Sequence, residues 1–92
     1  MRNSYRETWS SLHAQQSWPR PGESRYEERV AGCWEDLRML LLEHIYRLMA
    51  EADAFAVDLE AILAVRVGDE WWREEKIDAV EKLLDSLLSL AD

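Results

Sequence analysis

Apolar residues recur along most of this chain at spacings of three and four, the period of an α-helix. Tyr5, Trp9 and Leu12 form the first such stripe. Ser4, followed by Glu7 three residues on, has the spacing of a capping box, in which a hydroxyl and a carboxylate satisfy two otherwise orphaned amides. A short helix ending near Gln16 is predicted. Trp18-Pro19-Arg20-Pro21-Gly22 cannot extend it, because proline lacks the amide and pushes the preceding residue towards extended geometry. This stretch reads as a linker.

Ser24 and Glu27 repeat the capping-box spacing and open the main element. From there to Arg66 the chain holds no proline and one glycine, Gly32. A heptad register with d at Trp34, Leu41, Leu48, Phe55 and Ile62 places Ile45, Ala52 and Leu59 at a, and Leu42, Met49, Ala56 and Leu63 at e. The stripe keeps phase through Ala50-Glu51-Ala52-Asp53, which predicts one helix of about 40 residues, roughly 60 Å long. A break near Asp53 is the alternative. Val67-Gly68-Asp69 reads as a turn with Gly68 just past a helix end and Asp69 capping the next. The last helix is then Glu70 to Leu90, with Ile77, Val80, Leu84, Leu87 and Ala91 as its stripe.

The expected fold is all-α. It is a helical hairpin or bundle built on the long central helix and the C-terminal helix, with a short N-terminal helix on a Pro-rich linker. Residues 1–23 are expected to form a separable aromatic arm, and residues 24–92 an acidic helical body. The apolar arc between Leu37 and Met49 spans nearly 200° of helix surface, at about 100° per residue, where a helix facing one partner needs about 100°. Two helices and an arm leave part of that arc uncovered. A homodimer is therefore expected, with Leu41, Leu42, Ile45, Leu48, Leu84 and Leu87 in the seam.

Length and charge narrow the functional classes. A chain of 92 residues buries only about 60 to 65% of its unfolded surface, and the single cysteine, Cys33, excludes an internal disulfide and a thiolate metal cage. No apolar leader follows Met1, and unbroken apolar runs such as Met39 to Leu42 are far short of a membrane span; a cytoplasmic location is expected. Residues 1–29 hold five Arg and four Glu, residues 30–92 six basic and fifteen acidic groups, which together give the net charge of −8. An acidic body disfavours nucleic-acid and membrane-surface binding.

No motif carries catalysis. Glu43 and His44 are adjacent, without the i, i+3 partner that a helical metal site requires. Cys33 lies near Glu35 and Asp36, whose charge opposes thiolate formation. No cofactor, metal ligand or catalytic residue is expected. Two residues break the helical pattern instead. Arg38 falls inside the apolar arc and must meet a carboxylate or lie at an interface rim. Trp71 falls on the polar face of the last helix, where it either packs under the arm against Trp9 or Trp18 or anchors a partner. With Trp72, Tyr46 and Met39, these form the candidate partner-binding set. The expected function is non-enzymatic protein binding by a small acidic regulator, inhibitor or accessory subunit, with a partner that presents a basic surface. An inhibitor of a nucleic-acid enzyme acting by negative-charge mimicry, a helical secretion chaperone and, last, an enzyme with a site across a helical dimer are the alternatives.

Overall fold

Among the described residues four α-helices follow one another: α1 (Tyr5–Gln15), α2 (Tyr26–Glu51), α3 (Leu59–Arg66) and α4 (Ile77–Ala91), the last entered through a 3₁₀ turn at Glu74–Lys76. The computed structural model describes residues 4–52 and 58–91. The helix starts are set locally. Ser4 caps α1 by accepting the Glu7 amide at 3.1 Å, and Asp58 caps α3 by accepting the Ala61 amide at 3.1 Å. Ser24 does not cap α2. Arg25 occupies that position in the left-handed conformation with no side-chain cap, and its guanidinium forks onto Glu28 at 2.6 and 2.8 Å instead. That pairing holds the Glu28 carboxyl below its ordinary pKa.

The central helix is long but not continuous. α2 stops at Glu51 and α3 begins only at Leu59, so the break near Asp53 is the arrangement adopted; Asp53, Phe55 and Ala56 lie outside the described residues. An unbroken 40-residue rod would carry Leu59 and Leu63 away from the rest of the chain. Broken, the chain lays α3 against α2, where Leu59 and Leu63 are 1% exposed. The buried row of α2 is Leu37, Leu41, Ile45 and Met49, spaced strictly by four. Trp34 and Leu48, two of the heptad d positions, are only half-buried. A row spaced by four is the ridge of ordinary globular helix packing, whereas a heptad seam serves a coiled coil with one partner.

α3 ends as the glycine pattern predicts. The amides of Val67 and Gly68 both donate to the Leu63 carbonyl, at 2.8 and 3.1 Å, and Gly68 has φ +130°. Asp69, however, starts no helix. Residues 69–73 form turns, and α4 begins seven residues later than the periodicity places it. In a helix running from Glu70, Trp71 would point to solvent; unwound, the chain turns its indole fully into the core.

The N-terminal segment is not an appendage. Tyr5 and Trp9 belong to the buried cluster, together with Ile77, Val80 and Leu84. α1 packs against both α2 and α4 and runs antiparallel to each. Its first turn meets the first two turns of α4 through Arg6, whose amide donates to Glu81 at 2.8 Å and whose guanidinium pairs with Asp78. Further along, Trp9 Nε1 donates to the Trp72 carbonyl at 2.6 Å. The physical reason is that 1–23, poor in aliphatic residues, brings aromatic area instead, at about 150–250 Å² per ring system.

Candidate interaction face

The candidate binding residues divide between interior and surface. Trp71 is fully buried and stands edge-on to Trp72, ring centroids 5.7 Å apart. It packs in the core and presents nothing to a partner. Trp72 is half-buried; its carbonyl takes the Trp9 proton, while its own Nε1 is buried with no hydrogen-bond partner among the described residues. Above it lies Arg38, the guanidinium carbon 5.7 Å from the Trp72 ring centroid. Arg38 meets two carboxylates, Glu35 one turn back and Glu60 on α3. It thus clips α3 to α2 with its side chain only 17% exposed. The hydrogen bond from Arg38 holds the Glu35 carboxyl below its ordinary range.

Met39 and Tyr46 share the outer face of α2, seven residues apart. Met39 is 53% exposed and Tyr46 42%. The Tyr46 hydroxyl accepts the Leu59 amide at 3.2 Å, which fixes the ring beside the start of α3. Two further exposed apolar residues, Leu40 on α2 and Val65 on α3, were not among the expected contacts. The sequence does mark both: Leu40 sits among Glu43, His44 and Arg47 on the polar side of α2, and Val65 lies off the a, d and e stripe.

The expected dimer seam is largely spent inside one chain. Leu41, Ile45 and Leu84 are buried by the chain's own helices, and Leu42, Leu48 and Leu87 are half-buried. The wide arc of α2 is covered from two sides, by α1 and by α3, because the break in the central helix supplies a partner that an unbroken rod lacks.

Between α1 and α2 runs a shallow groove of about 150 Å³, lined by Thr8, Leu12, Leu40, Glu43, His44 and Arg47. His44 Nε2 lies 3.4 Å from Thr8 Oγ1. Partial burial, helped by neighbouring Arg47, holds the imidazole below its ordinary pKa, against an opposing pull from Glu51. Thr8 Oγ1 beside His44 Nε2 is the groove's one pairing of a hydroxyl with a base, and among the described residues no hydrogen bond orients the other ring nitrogen of His44. Cys33 instead directs its thiol at the Ser17 carbonyl, 3.6 Å away. Among the described residues no three His, Cys, Asp or Glu side chains converge as a metal site, and no helix is long and apolar enough to cross a membrane.

No family model, curated protein or solved structure matches the chain. Its function is therefore argued from this geometry alone.

Proposed function

We propose that the chain is a non-enzymatic protein-binding module, a small regulator, inhibitor or accessory subunit that acts stoichiometrically through the outer face of α2. The observation that carries this reading is the exposure of Met39 and Tyr46 above a core already closed within one chain. The fold does not need these side chains for its own burial. Methionine and tyrosine are enriched in protein interfaces, and Tyr46 is held in place by its bond to Leu59. The surrounding acidic surface, net −8 over the chain, favours a partner with a basic face and speeds its approach. A second copy of the chain would use this same outer face, since Leu41 and Ile45 are covered.

The test is affinity capture from the native host, with mass spectrometry, using the wild-type chain and Met39→Glu in parallel. Met39→Glu should keep its helical circular dichroism and lose a specific partner, while added salt weakens the wild-type complex. A partner retained equally by both chains places the interface elsewhere and sinks the reading.

A further inference from the structure

The outer face of α2 has a different spacing from the inner one. Leu37, Leu41, Ile45 and Met49 are buried every four residues, whereas Gly32, Met39 and Tyr46 recur every seven along the exposed side. A row spaced by seven stays in line with a second helix lying nearly parallel to the first, at about 20°. Asp36 and Glu43 fall together on one flank of this row, at about 100° per residue. Both are exposed, and neither forms an ion pair among the described residues. On the other flank α3 closes the face: Glu60 pairs with Arg38, and the Leu59 amide donates to Tyr46.

Gly32 has no explanation within the chain. Its backbone is helical, without a positive φ, and a Cβ there would meet nothing within 4 Å. Glycine inside a helix is less stable than alanine, and its use is to let another group come close to the backbone. That group has to come from outside.

We propose, on the reading of this face as a protein-binding surface, that its occupant is a basic amphipathic helix of another protein, lying along α2 from Gly32 to Tyr46. The span is roughly 21 Å at 1.5 Å per residue. The partner's apolar stripe covers Met39 and Tyr46, one of its large side chains fills the space above Gly32, and Lys or Arg on its flank answers Asp36 and Glu43. A second copy of this chain meets neither need. Laid parallel and in register, it sets Gly32 over Gly32 and leaves the space empty. Laid antiparallel with Tyr46 over Gly32, it brings Asp36 against Glu43, and like charges repel.

The full chain, labelled for amide NMR, is titrated with three synthetic peptides of about three heptads each. One carries leucine on its apolar stripe and lysine on both flanks, the second has glutamate for lysine, and the third scrambles the first so that no stripe remains. The lysine peptide should shift the amides of Gly32, Asp36, Met39, Glu43 and Tyr46 saturably. The other two should bind at least about tenfold more weakly. Gly32→Gln should raise the melting temperature, because glutamine favours a helix, and yet weaken the lysine peptide about tenfold. Asp36→Asn combined with Glu43→Gln should weaken it about two- to fivefold. Absence of lysine-peptide binding, equal binding of the scrambled peptide, or undiminished binding in Gly32→Gln would overturn the proposal. So would a free chain that sediments as a dimer and becomes monomeric on Met39→Glu, which gives the face to a second copy. The underlying reading fails separately, when capture with Met39→Glu keeps the native partner.

Discussion

At one end of the bundle all five tryptophans join a single connected network. Trp9 stacks on His13 at 4.8 Å, His13 lies tilted against Trp18 at 4.7 Å, and Trp18 meets Trp34 edge-on at 4.9 Å. Arg73 covers Trp34 at 4.1 Å, and Trp9 reaches across to the Trp72 carbonyl. Trp18 Nε1 also donates to the His13 carbonyl at 2.8 Å, tying the linker back onto α1. At the other end the same helices meet through leucines and Tyr5, around a cavity and a hydroxyl with no partner among the described residues. The first end is fixed by directional contacts between groups far apart in sequence. The second is held by aliphatic burial, which has no preferred direction and tolerates gaps. A chain this short can thus leave a gap at one end because directional contacts tie the other.

Removing residues 1–23 strikes both ends and should have the largest effect. The truncated chain loses Tyr5 and Trp9 from the core and uncovers α2 and α4 together, so its thermal melt should become broad and non-cooperative. A cooperative melt with unchanged helicity per residue would show that the tryptophan network contributes little. Trp71→Ala comes next. Emptying a fully buried indole site costs about 3–5 kcal/mol, read as a fall in the denaturation midpoint at constant slope. Trp9→Phe retains most of the ring area but deprives the Trp72 carbonyl of its donor, a loss of about 1–2 kcal/mol. At the aliphatic end, Tyr5→Phe removes a hydroxyl that bonds nothing among the described residues, and stability should stay within about 0.5 kcal/mol of wild type or rise. If Tyr5→Phe costs as much as Trp9→Phe, the two ends are held alike and the contrast fails.

The local grammar of the fold was legible in the sequence. Ser4 caps as its spacing with Glu7 predicts, Pro19 and Pro21 stop α1, and Gly68 closes α3. Arg38 meets carboxylates, as a guanidinium inside an apolar arc must. What periodicity could not show was where the chain gives up a local hydrogen bond for a distant contact. The apolar phase runs on past Glu51 although α2 ends there, and Asp58, three residues before the amide it caps, is the sequence sign of a fresh helix start. Trp71 was placed on a helix that unwinds to bury it. The docking of α1 rests on pairs more than sixty residues apart, which no local window contains. For the candidate site, periodicity placed Met39 and Tyr46 on the edge of the α2 arc. It put Trp71 beside them, because an aromatic on a nominal polar face looks the same whether it points outward or the backbone turns it in.

The bond from Trp9 to Trp72 also sets an order of events during synthesis. Trp9 joins the chain 63 residues before its acceptor, an interval of roughly 3 to 13 s at about 5–20 residues per second. Throughout that interval the apolar stripe of α1 has no α4 to lie on, and α2 emerges with one flank bare. The nascent chain therefore offers Tyr5, Trp9 and Leu12 to its surroundings until the last helix is complete. Docking of the first helix is among the last steps, and a message cut short before residue 72 yields a product that can never close.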